Sequence, residues 1–113
     1  MNDISPQLQN QIVQFQQTQQ QLQAVSTQKV QMEAQRREME RTSEELEKAT
    51  GDVYKSSGSL LIRVGDKDKL KADLDESVEN MGIRIKGLER QEKTLREKYE
   101  SLQETINKAV GQE

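Results

Sequence analysis

No cysteine, no histidine and no tryptophan occur among the 113 residues. The first two absences remove thiolate and imidazole chemistry together: no disulfide, no Ser-His or Cys-His nucleophile pair, and none of the usual zinc ligand sets. Phosphate-binding loops are missing too, because Gly51, Gly58, Gly65, Gly82 and Gly87 are scattered without a GxxxxGK or GxGxxG spacing. The chain is therefore expected not to be an enzyme and to hold no cofactor and no metal. No apolar run approaches the roughly 18 residues that a membrane span requires, and nothing resembles a signal peptide, so a cytoplasmic protein with no membrane partner is expected. A net charge of -3 argues against nucleic acid as a partner. With one Phe, two Tyr and 31% hydrophobic residues, the chain is also too poor in apolar groups for a compact globular core.

What is present is the composition of long helices: Ala, Glu, Lys, Leu, Arg and Gln dominate, and there is a single Pro. Ser5-Pro6 is a helix-start signal, Ser to cap the first N–H groups and Pro at a position where no N–H is needed. From there one heptad frame places Leu8, Phe15 and Leu22 at a, and Ile4, Val25, Met32, Met39, Leu46 and Val53 at d. The later a positions carry Lys29, Arg36, Ser43 and Thr50, which weakens the seam and tends to specify register. Between Asp3 and Lys29 no side chain is charged, and thirteen of the first 35 residues are Gln. Two readings of this tract lead, a solvated helix face that uses Gln, or an uncharged adaptable surface to which Ile12 and Val13, off the strict seam, add apolar area; a prion-like tract comes third, since helical heptads run through it.

Gly51 is a candidate helix stop, and the stretch Val53 to Val64 that follows reads as strand. Gly58-Ser59 suits a type II′ turn, which would pair Ser57 with Leu60, Lys55 with Ile62 and Val53 with Val64. One face then carries Val53, Leu60, Ile62 and Val64, and the other Tyr54, Leu61 and Arg63. A lone hairpin with apolar groups on both faces and open edges is marginal in water. Edge-to-edge pairing of hairpins from several chains into a sheet or barrel would satisfy edges and faces together, so Val53, Tyr54, Leu60, Leu61, Ile62 and Val64 are the candidate oligomerisation residues.

Asp66 or Asp68 can cap a second helix, with Val78, Ile85, Tyr99 and Ile106 at a, and Leu74, Met81, Leu88, Leu95, Leu102 and Ala109 at d. The predicted architecture is mainly α: a long antiparallel two-helix coiled coil, helices over 5–50 and 67–110, joined by one β-hairpin over 53–64, within a single domain 1–113. Centring the register on the Gly58-Ser59 turn sets Met39 against Val78, Met32 against Ile85, Arg36 against Met81, Val25 against Glu92, Leu22 against Leu95, Phe15 against Leu102 and Leu8 against Ala109. The far ends of the helices gather Ile4, Leu8, Ile12, Val13, Phe15, Leu102, Ile106 and Val110. Coiled-coil ends fray and expose such groups intermittently, which suits them to binding exposed apolar segments of other proteins.

Val53-Tyr54-Lys55-Ser56-Ser57-Gly58-Ser59-Leu60-Leu61 resembles the hairpin of β-class prefoldin subunits, which read V-Y-K-x-x-G-x-L-L. Arg84 to Glu92 is similar to that class's R-x-K-x-L-E-x-Q-E run. The likeness covers nearly the whole chain, and Gly82, Gly87 and the Gln-rich first helix depart from it. It implies a hexamer of two α and four β subunits, the hairpins forming a β-barrel platform from which coiled-coil arms hang. It implies further an ATP-independent holdase that captures unfolded proteins at the arm tips and delivers them to a group II chaperonin. An archaeal source is expected, since the chain carries no extensions. The rival reading is a structural coiled-coil adaptor or scaffold with one defined partner, in which the hairpin is only a tight reversal; strand pairs apolar on both faces favour the chaperone subunit.

Overall fold

The computed structural model describes residues 4–111. The elements are, in chain order, α1 (Pro6–Lys48), β1 (Tyr54–Ser57), β2 (Leu60–Arg63) and α2 (Lys67–Gly111). Ser5 caps α1: its Oγ accepts the Leu8 N–H at 3.1 Å and its carbonyl the Gln9 N–H at 2.9 Å, leaving Pro6 at the first helical position. The helix ends on Lys48, short of residue 50, and Gly51 then takes a φ of 90° that turns the chain toward β1. Of the two candidate caps of α2, Asp66 is used, accepting the Lys69 N–H on Oδ1 at 3.0 Å. Asp68 lies inside the first turn, where its charge meets the positive end of the helix dipole.

The hairpin has the predicted register, Ser57 opposite Leu60 and Lys55 opposite Ile62. Its ladder continues outward through a 2.8 Å bond from the Val64 N–H to the Val53 carbonyl. Gly58 has a φ of 59° and among the described residues no non-glycine residue has a positive φ, so only the first turn residue is left-handed and the turn is type II′.

The chain divides into two compact units, each drawing on both helices: a hairpin unit, Gln31–Ile85, and a terminal unit, Met1–Val30 with Lys86–Glu113. Among the described residues the buried apolar side chains are Leu8, Met32, Leu46 and Ile85, a seam one residue deep, as a chain with so few apolar groups can build. Polar residues fill the gaps in that seam, and two groups of them are bonded across the helices. In the hairpin unit, buried Ser43 donates through Oγ to Asp75 Oδ1 at 2.6 Å, and Lys71 Nζ donates to Asp75 Oδ2 at 2.9 Å and to Ser43 Oγ at 3.3 Å. In the terminal unit, Glu92 receives Ser26 Oγ on one carboxylate oxygen at 2.7 Å and Lys29 Nζ on the other at 2.9 Å. Ser43–Asp75 and Ser26–Glu92 stand within one position of the register centred on the turn, and the two lysines reach in from about one helical turn away.

Two expected pairings are corrected in detail. Glu92 turns to Ser26 and Lys29 rather than facing Val25, because a hydroxyl and an ammonium are within its reach. Phe15 stacks on Tyr99 rather than Leu102, ring centroids 4.6 Å apart and planes 25° from parallel. The larger ring reaches across to the neighbouring layer, and an offset stack adds roughly 0.5–1.5 kcal/mol to simple burial. Thr18, at a d position level with Tyr99 in this register, is only 1% exposed, and its small size suits a layer occupied by two aromatic rings.

The carboxylates of both polar layers titrate low. Hydrogen bonds from Ser26 and then Lys29 hold Glu92 below its ordinary 4.5, and Ser43 and then Lys71 hold Asp75 below its ordinary 3.8, each against an opposing desolvation. A carboxylate depressed in the folded state contributes stability that is complete above its ordinary value and disappears as the pH falls through its folded one. The melting temperature is therefore expected to fall below about pH 4.5, and to fall less in Glu92→Gln. Parallel acid limbs for the two proteins would remove Glu92 from the account. Lys71 is raised above its ordinary 10.5, chiefly by the Asp75 hydrogen bond, so its contribution persists below that pH and is lost only in stronger alkali.

The two glycines inside α2 are not alike. A Cβ on Gly82 would lie 2.9 Å from Arg36 Nη2 and 3.1 Å from its Cζ, so the bare backbone seats the guanidinium of a charged a residue. A Cβ on Gly87 would meet nothing within 4 Å. Gly87→Ala should then gain close to the full helix-propensity difference of about 1 kcal/mol, and Gly82→Ala less, because Arg36 must move aside. Urea unfolding of the two variants checks this, and equal gains would mean that the seat of Arg36 contributes nothing.

Candidate functional site

Two regions carry apolar surface that the monomer does not cover. The first is the hairpin. In a two-residue hairpin Ser57–Leu60 and Lys55–Ile62 are the hydrogen-bonded pairs, which directs the backbone N–H and C=O groups of Tyr54 and Ser56 outward along one edge and those of Leu61 and Arg63 along the other. Every residue of both strands is exposed, Leu61 most among the large apolar ones at 74%. Tyr54, Leu60 and Ile62 are also half or more exposed, whereas Val53 and Val64, at the base of the ladder, are half-buried. Beneath β1 lies an open groove of about 590 Å³, with Leu46, Ala49, Val53, Leu70 and Leu74 among its lining and Tyr54 on its wall. Arg63 pairs loosely with Asp52 at 3.6 Å, both exposed. Neither face of the hairpin is sheltered by its own helices, and both edges are open to strand addition.

The second region lies in the terminal unit. Ile4, Val13 and Val110 are 44–55% exposed, Ile12, Phe15, Leu102 and Ile106 are half-buried, and Leu8 is 8% exposed in the seam. The predicted group thus separates: Ile4, Val13 and Val110 present apolar surface outright, Phe15 is engaged by Tyr99, and Leu8 is a packing residue of the closed helix pair. From Ile4 to Gln28 the side chains of the first helical segment carry no charge, so the apolar groups here are set among amides and hydroxyls.

Among the described residues no three or more His, Cys, Asp or Glu are grouped to hold a metal ion, and no helix is long and apolar enough to cross a membrane.

The sequence profile of the prefoldin subunit family matches residues 9–113. The chain belongs to the prefoldin family. Its likeness is to the beta subunits: that of Methanococcus vannielii is 49% identical over 110 residues, 97% of each chain, and that of Methanococcus maripaludis is 50% identical over 105 residues, 93% of each. The prefoldin subunit beta of Thermoplasma acidophilum is 49% identical over 55 residues, which cover 49% of this chain and 44% of that one. The crystal structure of the prefoldin beta subunit from Thermococcus strain KS-1 superposes with a TM-score of 0.82 at 38% identity, over 96% of both chains. Prefoldins are a chaperone family, so this chain is a chaperone-family subunit that assembles with other prefoldin subunits.

Proposed function

We propose that this chain is the β subunit of a cytoplasmic, ATP-independent holdase built of two α and four β prefoldin subunits. Its hairpin joins those of the other subunits in a β-barrel platform through Val53, Tyr54, Leu60, Leu61, Ile62 and Val64. Unfolded proteins are captured at the helix ends and passed on to a group II chaperonin. The observation that carries the reading is the hairpin: two strands with both edges open and Tyr54, Leu60, Leu61 and Ile62 exposed, an arrangement that is marginal in water until partners cover it. Capture is supported by Ile4 and Val13, exposed in the uncharged stretch from Ile4 to Gln28, and by Val110, exposed on α2. A structural adaptor would have no use for a hairpin apolar on both faces. The mass in solution of the chain alone and mixed with an α-class prefoldin subunit tests the assembly: a heterohexamer supports it, and a monomer in both conditions overturns it.

A further inference from the structure

The terminal unit holds a second feature away from its exposed apolar residues, an open groove of about 470 Å³ lined by Gln21, Val25, Arg90, Gln91, Thr94 and Leu95. Val25 and Leu95 are half-buried and form an apolar floor, while Gln21, Gln91 and Thr94 stand exposed on the walls. A carboxamide is the side-chain counterpart of a peptide bond, offering one acceptor and two donor hydrogens, so walls of this kind match the backbone of an extended polypeptide irrespective of its sequence. The floor takes an aliphatic side chain of that polypeptide.

The charge at the groove is of one sign. Arg90 is the only charged residue of its lining. Its neighbours one turn away along α2 are Lys86, Gly87, Lys93 and Thr94, with no carboxylate among them, and Arg90 makes no ion pair among the described residues. The facing α1 segment offers no carboxylate either, being uncharged from Ile4 to Gln28. The guanidinium at the rim, flanked by two ammonium groups, is therefore complementary to a carboxylate, and a guanidinium accepts one in bidentate fashion.

We infer that the groove between Val25 and Leu95 binds an extended segment of an unfolded polypeptide in which an aliphatic residue stands next to Asp or Glu. This subsite, separate from Ile4, Val13 and Val110, rests on the reading of the chain as a client-binding chaperone subunit and gives it a preference: acidic-flanked apolar segments over basic-flanked ones. Because Arg90 is exposed, the preference is modest and weakens with salt as the Debye length shortens.

The test is a titration of the full-length protein against two fluorescein-labelled peptides, alike except that Leu is flanked by Asp in one and by Lys in the other, read by anisotropy. Wild type should favour the Asp peptide about three- to fivefold at low salt, the upper part of the range of an exposed ion pair. Arg90→Glu should reverse the order, and Arg90→Gln should reduce it to what Lys86 and Lys93 sustain. Arg90 lies on the solvent side of α2, so circular dichroism should show all three proteins equally helical. An unchanged ratio in Arg90→Glu overturns the inference. So does a change in the mass of the protein alone on that substitution, which would show a second copy seated in the groove. Suppression of aggregation of a denatured client by wild type reports on the chaperone reading separately. Suppression with an unchanged peptide ratio sinks the groove alone, and a reversed ratio without suppression sinks the chaperone reading and leaves the groove standing.

Discussion

Replacing Leu60 and Ile62 together with Asp is expected to abolish assembly while leaving the isolated chain folded. Both side chains lie on the same face of β2 and are at least half exposed in the monomer, so a carboxylate at either costs little there. In an assembly that covers this face the situation is reversed. Each lost aliphatic side chain forfeits about 1.5–3 kcal/mol of burial, and each carboxylate carried into the interface adds an unpaired charge whose desolvation costs several kcal/mol more. The two substitutions together remove enough binding energy to shift dissociation by many powers of ten. Light scattering on a mixture with an α-class subunit should show separate subunits, while circular dichroism shows unchanged helix content. An intact complex would refute the role of this face. Loss of helix in the isolated chain would show instead that the hairpin supports α1 and α2, which its exposure argues against.

The elements were legible because their signals are local. Ser5-Pro6, Asp66 and Gly58-Ser59 each act within a few residues, through a cap or a left-handed φ, and the heptad frames need only the 3.5-residue repeat. The register was legible too, since a two-residue turn leaves little choice of which positions meet. What could not be read is where long side chains go once two helices face each other. A frame that sets Glu92 against Val25 does not say that the carboxylate will swing to Ser26 and Lys29, nor that Tyr99 will reach the ring of Phe15. Sequence does not say whether Gly82 marks a flexible spot or a closely packed one, and in the fold the guanidinium of Arg36 lies against it. The polar a positions Lys29, Arg36 and Ser43 read in sequence as weakening the seam and specifying register, and in the fold Lys29 meets Glu92, Ser43 meets Asp75 and Arg36 lies against Gly82. Slipping the helices by a heptad would part Glu92 from Ser26 and Lys29 and Asp75 from Ser43, a penalty that an all-apolar seam would not impose.

Placement within the terminal unit also reshapes the test of client capture. Removing residues 1–12 and 104–113 is expected to abolish suppression of client aggregation and to leave assembly through the hairpin intact. That deletion, however, takes away Leu8, which is buried in the seam, together with the Ser5 cap of α1, and so removes structure as well as surface. Loss of a cap alone costs about 1 kcal/mol, and loss of a buried Leu layer 2–5 kcal/mol. The discriminating variant is Ile4→Ser with Val13→Ser and Val110→Ser, since these three side chains are exposed and their loss opens no cavity. If the exposed groups hold clients, the triple variant should lose most of the suppression at an unchanged melting temperature, because each contact forfeits burial of about 25 cal/mol per Å² covered by the client. Leu8→Ala should do the opposite, lowering the melting temperature while retaining Ile4, Val13 and Val110 for capture. Aggregation of a denatured client followed by turbidity, alongside thermal unfolding of each variant, separates the two. Full suppression by the triple variant would mean that clients are held elsewhere on the chain, and full suppression by the deletion would remove the helix ends from the mechanism altogether.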